Sequence, residues 1–233
     1  MSAAALPPIC ILAGGLGTRL GSMVRDTPKP LLEVAGAPFL EHQLRLLAGH
    51  GAERVVLCVG YLGERVEQLI GSERFGIAVA YSYDGPRPIG TLGAIRKALP
   101  MLGDRFLVLY GDTYLRLDYR AAAAAWTRSG MPAMMTVLRN EGRWDTSNVV
   151  FDGHRVTVYD KHDPRPGMNW IDYGLGGLTG DAIDPESSTR DLADLYRELA
   201  GARQLFGYEA TERFYEIGTP DSLAETDAFL AAP

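Results

Sequence analysis

Cysteine is nearly absent from this chain of 233 residues. The two that occur, Cys10 and Cys58, each sit inside an apolar run, so neither a disulfide framework nor a cysteine-based zinc site can be assembled. A reducing compartment, the cytoplasm, suits such a chain. Histidine is almost as scarce: His42, His50, His154 and His162 lack both metal-ligand spacing and an adjacent nucleophile. Long apolar runs are missing too. Stretches such as Phe106 to Tyr110 fall far short of the roughly 20 residues that cross a bilayer, and Met1 to Pro8 has no charged start leading into a long apolar segment. Neither membrane insertion nor secretion is expected. Basic excess is also lacking, since 23 Lys and Arg stand against 29 Asp and Glu for a net charge of -6. Such a balance repels a phosphate backbone, so no nucleic-acid partner is expected. There is no repeat, no linker and no biased tract beyond Ala121 to Ala125.

What is present suits one globular domain spanning residues 1–233, with 46% hydrophobic residues to fill a large core. Short apolar runs alternate with stretches of helical spacing, the pattern of βαβ units and a mostly parallel sheet. Strands are expected at Ile9 to Ala13, Leu31 to Val34, Val55 to Val59, Ala78 to Tyr83, Phe106 to Tyr110 and Ala133 to Leu138. Helices are expected from Pro38 to the glycines at 49 and 51, along a face made by Leu62, Val66, Leu69 and Ile70, from Thr91 to Leu99 with Pro100 as a stop, and from Asp118 to Trp126. Beyond Asn140 the pattern changes. Asn148 to Phe151 and Arg155 to Tyr159 flank Asp152-Gly153, a strong hairpin signal, so the sheet turns antiparallel there. Ile171 to Leu178 and Leu205 to Tyr208 read as strands, Thr189 to Leu199 and Pro220 to Leu230 as helices.

The first strand runs into Ala13-Gly14-Gly15-Leu16-Gly17-Thr18-Arg19-Leu20. Glycine-rich loops after a strand bind phosphates because bare backbone N–H groups can approach the anion. No Gly-Lys-Ser/Thr follows, so this is not a P-loop, and Leu20 stands where a dinucleotide fingerprint needs its third glycine. Instead Arg19 offers a planar fork that can grip a polyphosphate. In Thr27-Pro28-Lys29-Pro30 a lysine is held between two prolines, which fixes the direction of its charge. Asp112, just past the apolar strand ending at Tyr110, is a natural Mg²⁺ ligand, with Glu216 as a second carboxylate.

GGLGTRL followed by TPKPLLEVAGAPFLEH resembles the signature of the sugar-1-phosphate nucleotidylyltransferases, and the short form is most similar to the heptose-1-phosphate guanylyltransferases. The resemblance covers nearly the whole chain. It implies a Rossmann-like, three-layer α/β/α fold around a mixed, mainly parallel sheet. It implies transfer of a nucleotidyl group from a nucleoside triphosphate, GTP being favoured, to a manno-configured heptose or hexose 1-phosphate. The cofactor implied is Mg²⁺, with Mn²⁺ as a substitute. The nucleotide would lie against Leu12, Ala13, Gly14, Gly15, Gly17, Thr18, Arg87, Pro88, Gly90, Thr91 and Gly111. Arg19 and Lys29 would act on the phosphates, Asp112 and Glu216 would hold the metal, and Lys161, Asp172, Tyr173 and Gly174 would bind the sugar phosphate. The N-terminal half would thus carry nucleotide and metal, and residues 140–220 the sugar phosphate and second metal ligand.

Several residues depart from the family pattern: Arg87 replaces an acid or amide before the proline, Asp160 a Glu, Asp172 an Asn, Glu216 an Asp and Leu92 a smaller residue. The family's bifunctional members carry a C-terminal left-handed β-helix; the resemblance is to the short form, so their acetyltransferase activity is not expected. Two other classes compete. A dinucleotide-dependent oxidoreductase would have no use for the Lys29 motif, and a non-catalytic sensor would lack one of the cations or acids. Trp144 and Trp170 sit in polar segments, and Asn169 with Trp170 could stack on a sugar or base or belong to the core. Met23, Val24 and the outer face of the alanine-rich helix are possible contacts of a homo-oligomer.

Overall fold

The apolar run Ile9 to Leu12 has no polar side because it is paired on both edges and covered on both faces. The computed structural model describes residues 5–232. In chain order its elements are β1 (Ile9–Leu12), β2 (Glu33–Val34), β3 (Ala37–Pro38), α1 (Phe39–Gly49), β4 (Arg54–Val59), α2 (Gly63–Ile70), β5 (Glu73–Arg74), β6 (Ile77–Tyr83), α3 (Thr91–Leu102), β7 (Arg105–Tyr110) and β8 (Thr113–Tyr114). There follow α4 (Tyr119–Ser129), β9 (Ala133–Arg139), β10 (Val149–Phe151), β11 (Val156–Tyr159), β12 (Trp170–Thr179), α5 (Leu192–Gly201), β13 (Leu205–Ala210), β14 (Tyr215–Glu216) and α6 (Pro220–Ala231).

A ten-stranded sheet takes the order β11-β10-β12-β7-β1-β4-β6-β5, and β9 and β13 join it through β12. The pairs around β1 are parallel; β12 is antiparallel to β7, β9 and β10. Alternation along β1 sends Ile9 and Ile11 to one face, under α1, α2 and α4, and Cys10 to the other, under α3 and α5. This is the three-layer α/β/α arrangement with a mixed, mainly parallel sheet. The two thiols lie 3.5 Å apart, both buried and both free.

Several boundaries differ from the sequence expectation, each for a local reason. The α3 helix continues through Pro100 to Leu102, because a proline in the last turn removes one hydrogen bond without blocking the turn that Gly103 closes onto Leu99. Leu31 belongs to a 3-10 turn over Lys29–Leu31, leaving only Glu33–Val34 as strand. Leu62 caps α2 in the left-handed conformation and Leu69 is 43% exposed, so the helix rests on Val66 and Ile70. The α5 helix begins at Leu192, where the Asp191 carboxylate accepts from Ala193 N–H. Val24 is buried beside Leu20, so of Met23 and Val24 only Met23 is on the surface.

The centre of β12 approaches α4 closely enough to demand glycine. A Cβ on Gly177 would stand 2.7 Å from Cζ3 of Trp126, which is fully buried and donates through its indole N–H to Met131 O. Gly177→Ala is therefore expected to destabilise by about 1–3 kcal/mol and lower Tm by several degrees, as read by thermal unfolding. An unchanged Tm would mean that the helix can shift outward.

Candidate active site

Ligands in open α/β sheets gather beyond the carboxyl ends of the strands. Here the ends of β1, β6 and β7 open into a cleft of about 360 Å³, lined by the glycine loop from Ala13 to Arg19, by Lys29, by Pro88, Gly90 and Thr91, and by Gly111 and Asp112. A second cavity of about 460 Å³, lined by Lys161, Asp172, Tyr173, Gly174 and Glu216, adjoins it. Tyr110 lines both. Burial and then the Asp172 charge hold its phenol well above the ordinary value, so it remains a neutral partition.

The residues that meet at this partition come from distant parts of the chain. Lys29 projects from its 3-10 turn, with Pro30 buried behind it, and its Nζ lies 2.6 Å from Asp112 Oδ2. Asp112 sits in the turn after β7, which Gln43 of α1 holds by donating to the carbonyls of Tyr110 at 2.9 Å and Thr113 at 2.8 Å. Glu216 arrives through a pairing of two-residue strands, β14 against β8, in register Glu216 with Thr113. Ile217 N–H donates to Asp112 O at 2.9 Å, and Thr226 of α6 donates to Glu216 O at 2.6 Å.

Arg19 reaches the same place. A Cβ built on Gly218 would lie 3.2 Å from Glu216 Oε1 and 3.4 Å from Arg19 Nη2. Burial and the Asp112 charge raise the Glu216 carboxyl above the usual range, while Arg19 and Lys29 pull it down. A third, small cluster joins Leu20, Val24, Leu32, Val34 and Phe39 to Ile217, and so ties the loop that carries Arg19 and Lys29 to the strand that carries Glu216. Among the described residues no group of three or more His, Cys, Asp or Glu could enclose a metal ion. A pair of carboxylates is nonetheless the donor set Mg²⁺ favours, since it keeps waters and takes its remaining ligands from substrate phosphates. Asp112 and Glu216 fit it.

The second cavity is shaped by an irregularity in β12. Between Asp172 and Gly176 its register with β9 shifts, and Gly174 takes a φ of 112° that other residues rarely adopt. Thr136 fills the gap by donating to Leu175 O and accepting from Leu175 N–H. Asp172 is thereby turned toward Lys161, with Gly174 N–H at 3.1 Å on Oδ1 and Tyr159 OH at 3.3 Å on Oδ2. Burial raises the Asp172 carboxyl and Lys161 opposes the rise. Lys161 Nζ stands 5.5 Å from the Tyr110 ring centre and 5.9 Å from that of Tyr159. The exposed Asp160 caps the turn that presents it, accepting from His162 and Asp163 N–H, which keeps its own carboxyl low.

Other candidates fall differently. Arg87 is exposed and absent from the cleft lining. The Thr91 hydroxyl is engaged with Asp191 Oδ1 and Leu192 N–H, binding the start of α3 to the start of α5. Trp170 packs edge-on against Phe151, while Trp144 covers Arg213 at 4.2 Å on the outside. His162 does line the second cavity. Four further polar residues in these walls were not singled out by motif. Asp84 faces the nucleotide cleft; Asp145, Thr146 and Asn148 enter the sugar cavity from a loop organised by buried Asn140, which accepts from Trp144 N–H and donates to Ser147 Oγ. The run of polar residues after Asn140 was the one available hint.

The chain matches the family described as Nucleotidyl transferase over residues 9–147, more than half its length. It is 38% identical to the D-glycero-alpha-D-manno-heptose 1-phosphate guanylyltransferase of Aneurinibacillus thermoaerophilus, over 91% of this chain and 93% of that one. It is 30% identical to the protein of the same name from Campylobacter jejuni, over 91% and 94%. Its fold superposes with a TM-score of 0.85 on a putative glucose-1-phosphate thymidylyltransferase from Bacillus anthracis, at 21% identity over 98% and 96% of the two chains. A match of this extent, with the signature glycines and lysine at the mouth of one cleft, means that the chain belongs to the nucleotidyl transferase family.

Proposed function

We propose that the protein transfers a nucleotidyl group from GTP to a manno-configured heptose or hexose 1-phosphate and releases pyrophosphate. The observation that carries this reading is the convergence of Lys29, Asp112, Arg19 and Glu216 where a nucleotide-sized cleft meets a second cavity.

A sugar 1-phosphate is already largely a dianion at neutral pH, because its second ionisation lies near pH 6. It therefore needs no general base. A phosphate oxygen attacks the α-phosphorus of the triphosphate in line as pyrophosphate leaves, and the obstacle is the repulsion between two polyanions. Lys161 holds the sugar phosphate beside the Tyr110 ring. Lys29 shares its charge between the attacking and attacked phosphates, and Arg19 grips the β- and γ-phosphates of the departing group. Asp112 and Glu216 would hold Mg²⁺, or Mn²⁺ in its place, which when bound supplies further neutralisation of phosphate charge. Asp172 and the carbonyls of the bulged strand accept from sugar hydroxyls. A sensor that binds without reacting would not need this full set of cations and acids. Consumption of nucleoside triphosphates fits the cytoplasm, and no helix among the described residues is long and apolar enough to cross a membrane.

The test is pyrophosphate release on mixing the protein and Mg²⁺ with each of GTP, UTP, dTTP and CTP and a panel of sugar 1-phosphates. GTP with a manno-configured partner is expected to turn over fastest. Silence across the panel overturns the enzymatic reading; preference for another base overturns only the choice of donor.

A further inference from the structure

We propose that Trp144 and Arg213 form a clasp that joins two walls of the sugar cavity, and that this clasp sets how tightly the sugar 1-phosphate is held. The proposal rests on the sugar-phosphate reading above and extends it to two positioning residues outside the cavity.

One wall is the loop from Glu141 to Ser147. Its residues are exposed as far as Thr146, and Glu141 and Gly142 both take positive φ. Among the described residues the loop's hydrogen bonds and ion pairs all stay within 139–147. Asn140 holds the loop together at its base, and nothing in that network fastens its far side. From this loop Asp145 and Thr146 enter the cavity, while Trp144 lies outside it.

The other wall is the chain leading into β14. Side chains of an extended segment alternate, so Phe214 and Glu216 line the cavity while Arg213 and Tyr215 face outward. The Arg213 guanidinium lies over the Trp144 ring at 4.2 Å and over the Tyr215 ring at 4.6 Å. It is fixed by α6: the Glu225 carboxylate accepts from its two terminal nitrogens at 2.7 and 2.9 Å, and the Tyr215 ring stacks on Phe229 at 3.8 Å. A guanidinium oriented by a bidentate carboxylate is a ready platform for an indole, the ring that attracts a cation best. Trp144 is 42% exposed, so the contact contributes little to the core. What it fixes is the distance between the loop carrying Asp145 and Thr146 and the segment carrying Phe214 and Glu216. β14 is held independently by β8 and α6, so it is the loop that moves when the clasp opens. Ordering that loop then becomes part of the cost of binding the sugar. Arg19 and Lys29 stand in the other cleft, and the triphosphate should not feel the change.

The experiment measures kcat and both KM values, with the sugar 1-phosphate and triphosphate the parent uses best, in the parent, Trp144→Ala, Trp144→Phe, Arg213→Met and the double variant Trp144→Ala with Arg213→Met. Melting curves accompany each. Trp144→Ala should raise the KM for sugar 1-phosphate by about threefold to thirtyfold, while kcat, the KM for triphosphate and Tm stay near the parent's. Trp144→Phe keeps a ring face and should recover most of the loss. The double variant should match the poorer single variant within about twofold, because either change opens the same contact. Trypsin gives a readout independent of turnover: cleavage after Arg143, located by mass spectrometry, should be faster in Arg213→Met than in the parent, and sugar 1-phosphate should slow it in the parent. An active parent whose Trp144→Ala variant keeps its KM for sugar 1-phosphate overturns the proposal alone. So does a rise accompanied by a lower Tm and an equal rise in the KM for triphosphate, which would make Trp144 merely structural, and so do effects that multiply in the double variant. A parent silent with every sugar 1-phosphate overturns the functional reading, and the proposal with it.

Discussion

Arg19→Ala is expected to turn over at about one hundredth of the parent rate or less, with an unchanged melting temperature. The two halves of that result have separate causes. The guanidinium is exposed, and the loop's hold on the protein comes from its neighbour Leu20, buried in the small cluster with Ile217, so stability should survive the substitution. What is lost is a cation at the end of the cleft where Glu216 and Asp112 gather. The charge on the β- and γ-phosphates grows as pyrophosphate departs, so the missing interaction belongs mainly to the transition state and should appear in kcat more than in KM. Arg19→Lys should recover part of the loss, since a point charge replaces a bidentate fork. Near-parent turnover in Arg19→Ala would remove the guanidinium from the mechanism.

Asp112→Asn should be as damaging, with a different signature. It leaves Glu216 as the remaining carboxylate of the pair and takes from Lys29 the partner now 2.6 Å away. We expect a loss of about a hundredfold or more in kcat and a higher concentration of Mg²⁺ at half-maximal rate. Removing divalent ions with a chelator should silence the parent, and pairing Asp112→Asn with Glu216→Gln should cost much less than the product of the two separate effects if the acids serve one ion as proposed. A variant whose Mg²⁺ dependence matches the parent's would place the metal elsewhere. Steady-state pyrophosphate release over a Mg²⁺ titration reads all of these.

How much of this was legible in the sequence depends on how local each feature is. The loop from Gly14 to Arg19 and the Lys29 turn are written by contiguous glycines and prolines, and the strand ending at Tyr110 is marked by unbroken apolarity, so their place at strand ends could be anticipated. Glu216 was named as a candidate, yet nothing in five consecutive residues announces that β14 will pair with β8, a contact between segments about a hundred positions apart that depends on the whole sheet being in place. Gln43 belongs to no motif, and its work on two carbonyls of the Asp112 turn is visible only once α1 is docked. Asp84 was hidden in the same way. As the last polar residue before a Gly-Pro turn it looks like any loop aspartate, and only the glycine opposite, Gly14, gives it a direction. The helix through Pro100 went the other way: a rule that holds in the middle of a helix does not bind its final turn.

The small cluster of Leu20, Val24, Leu32, Val34, Phe39 and Ile217 joins nearly the first and nearly the last structured parts of the chain. Its consequence is one of timing. During synthesis the glycine loop and Lys29 leave the ribosome early, but they acquire Glu216 as a neighbour only when the final strand and helix have followed. The gathering of Arg19, Lys29, Asp112 and Glu216 is thus the last part of the cleft to be assembled.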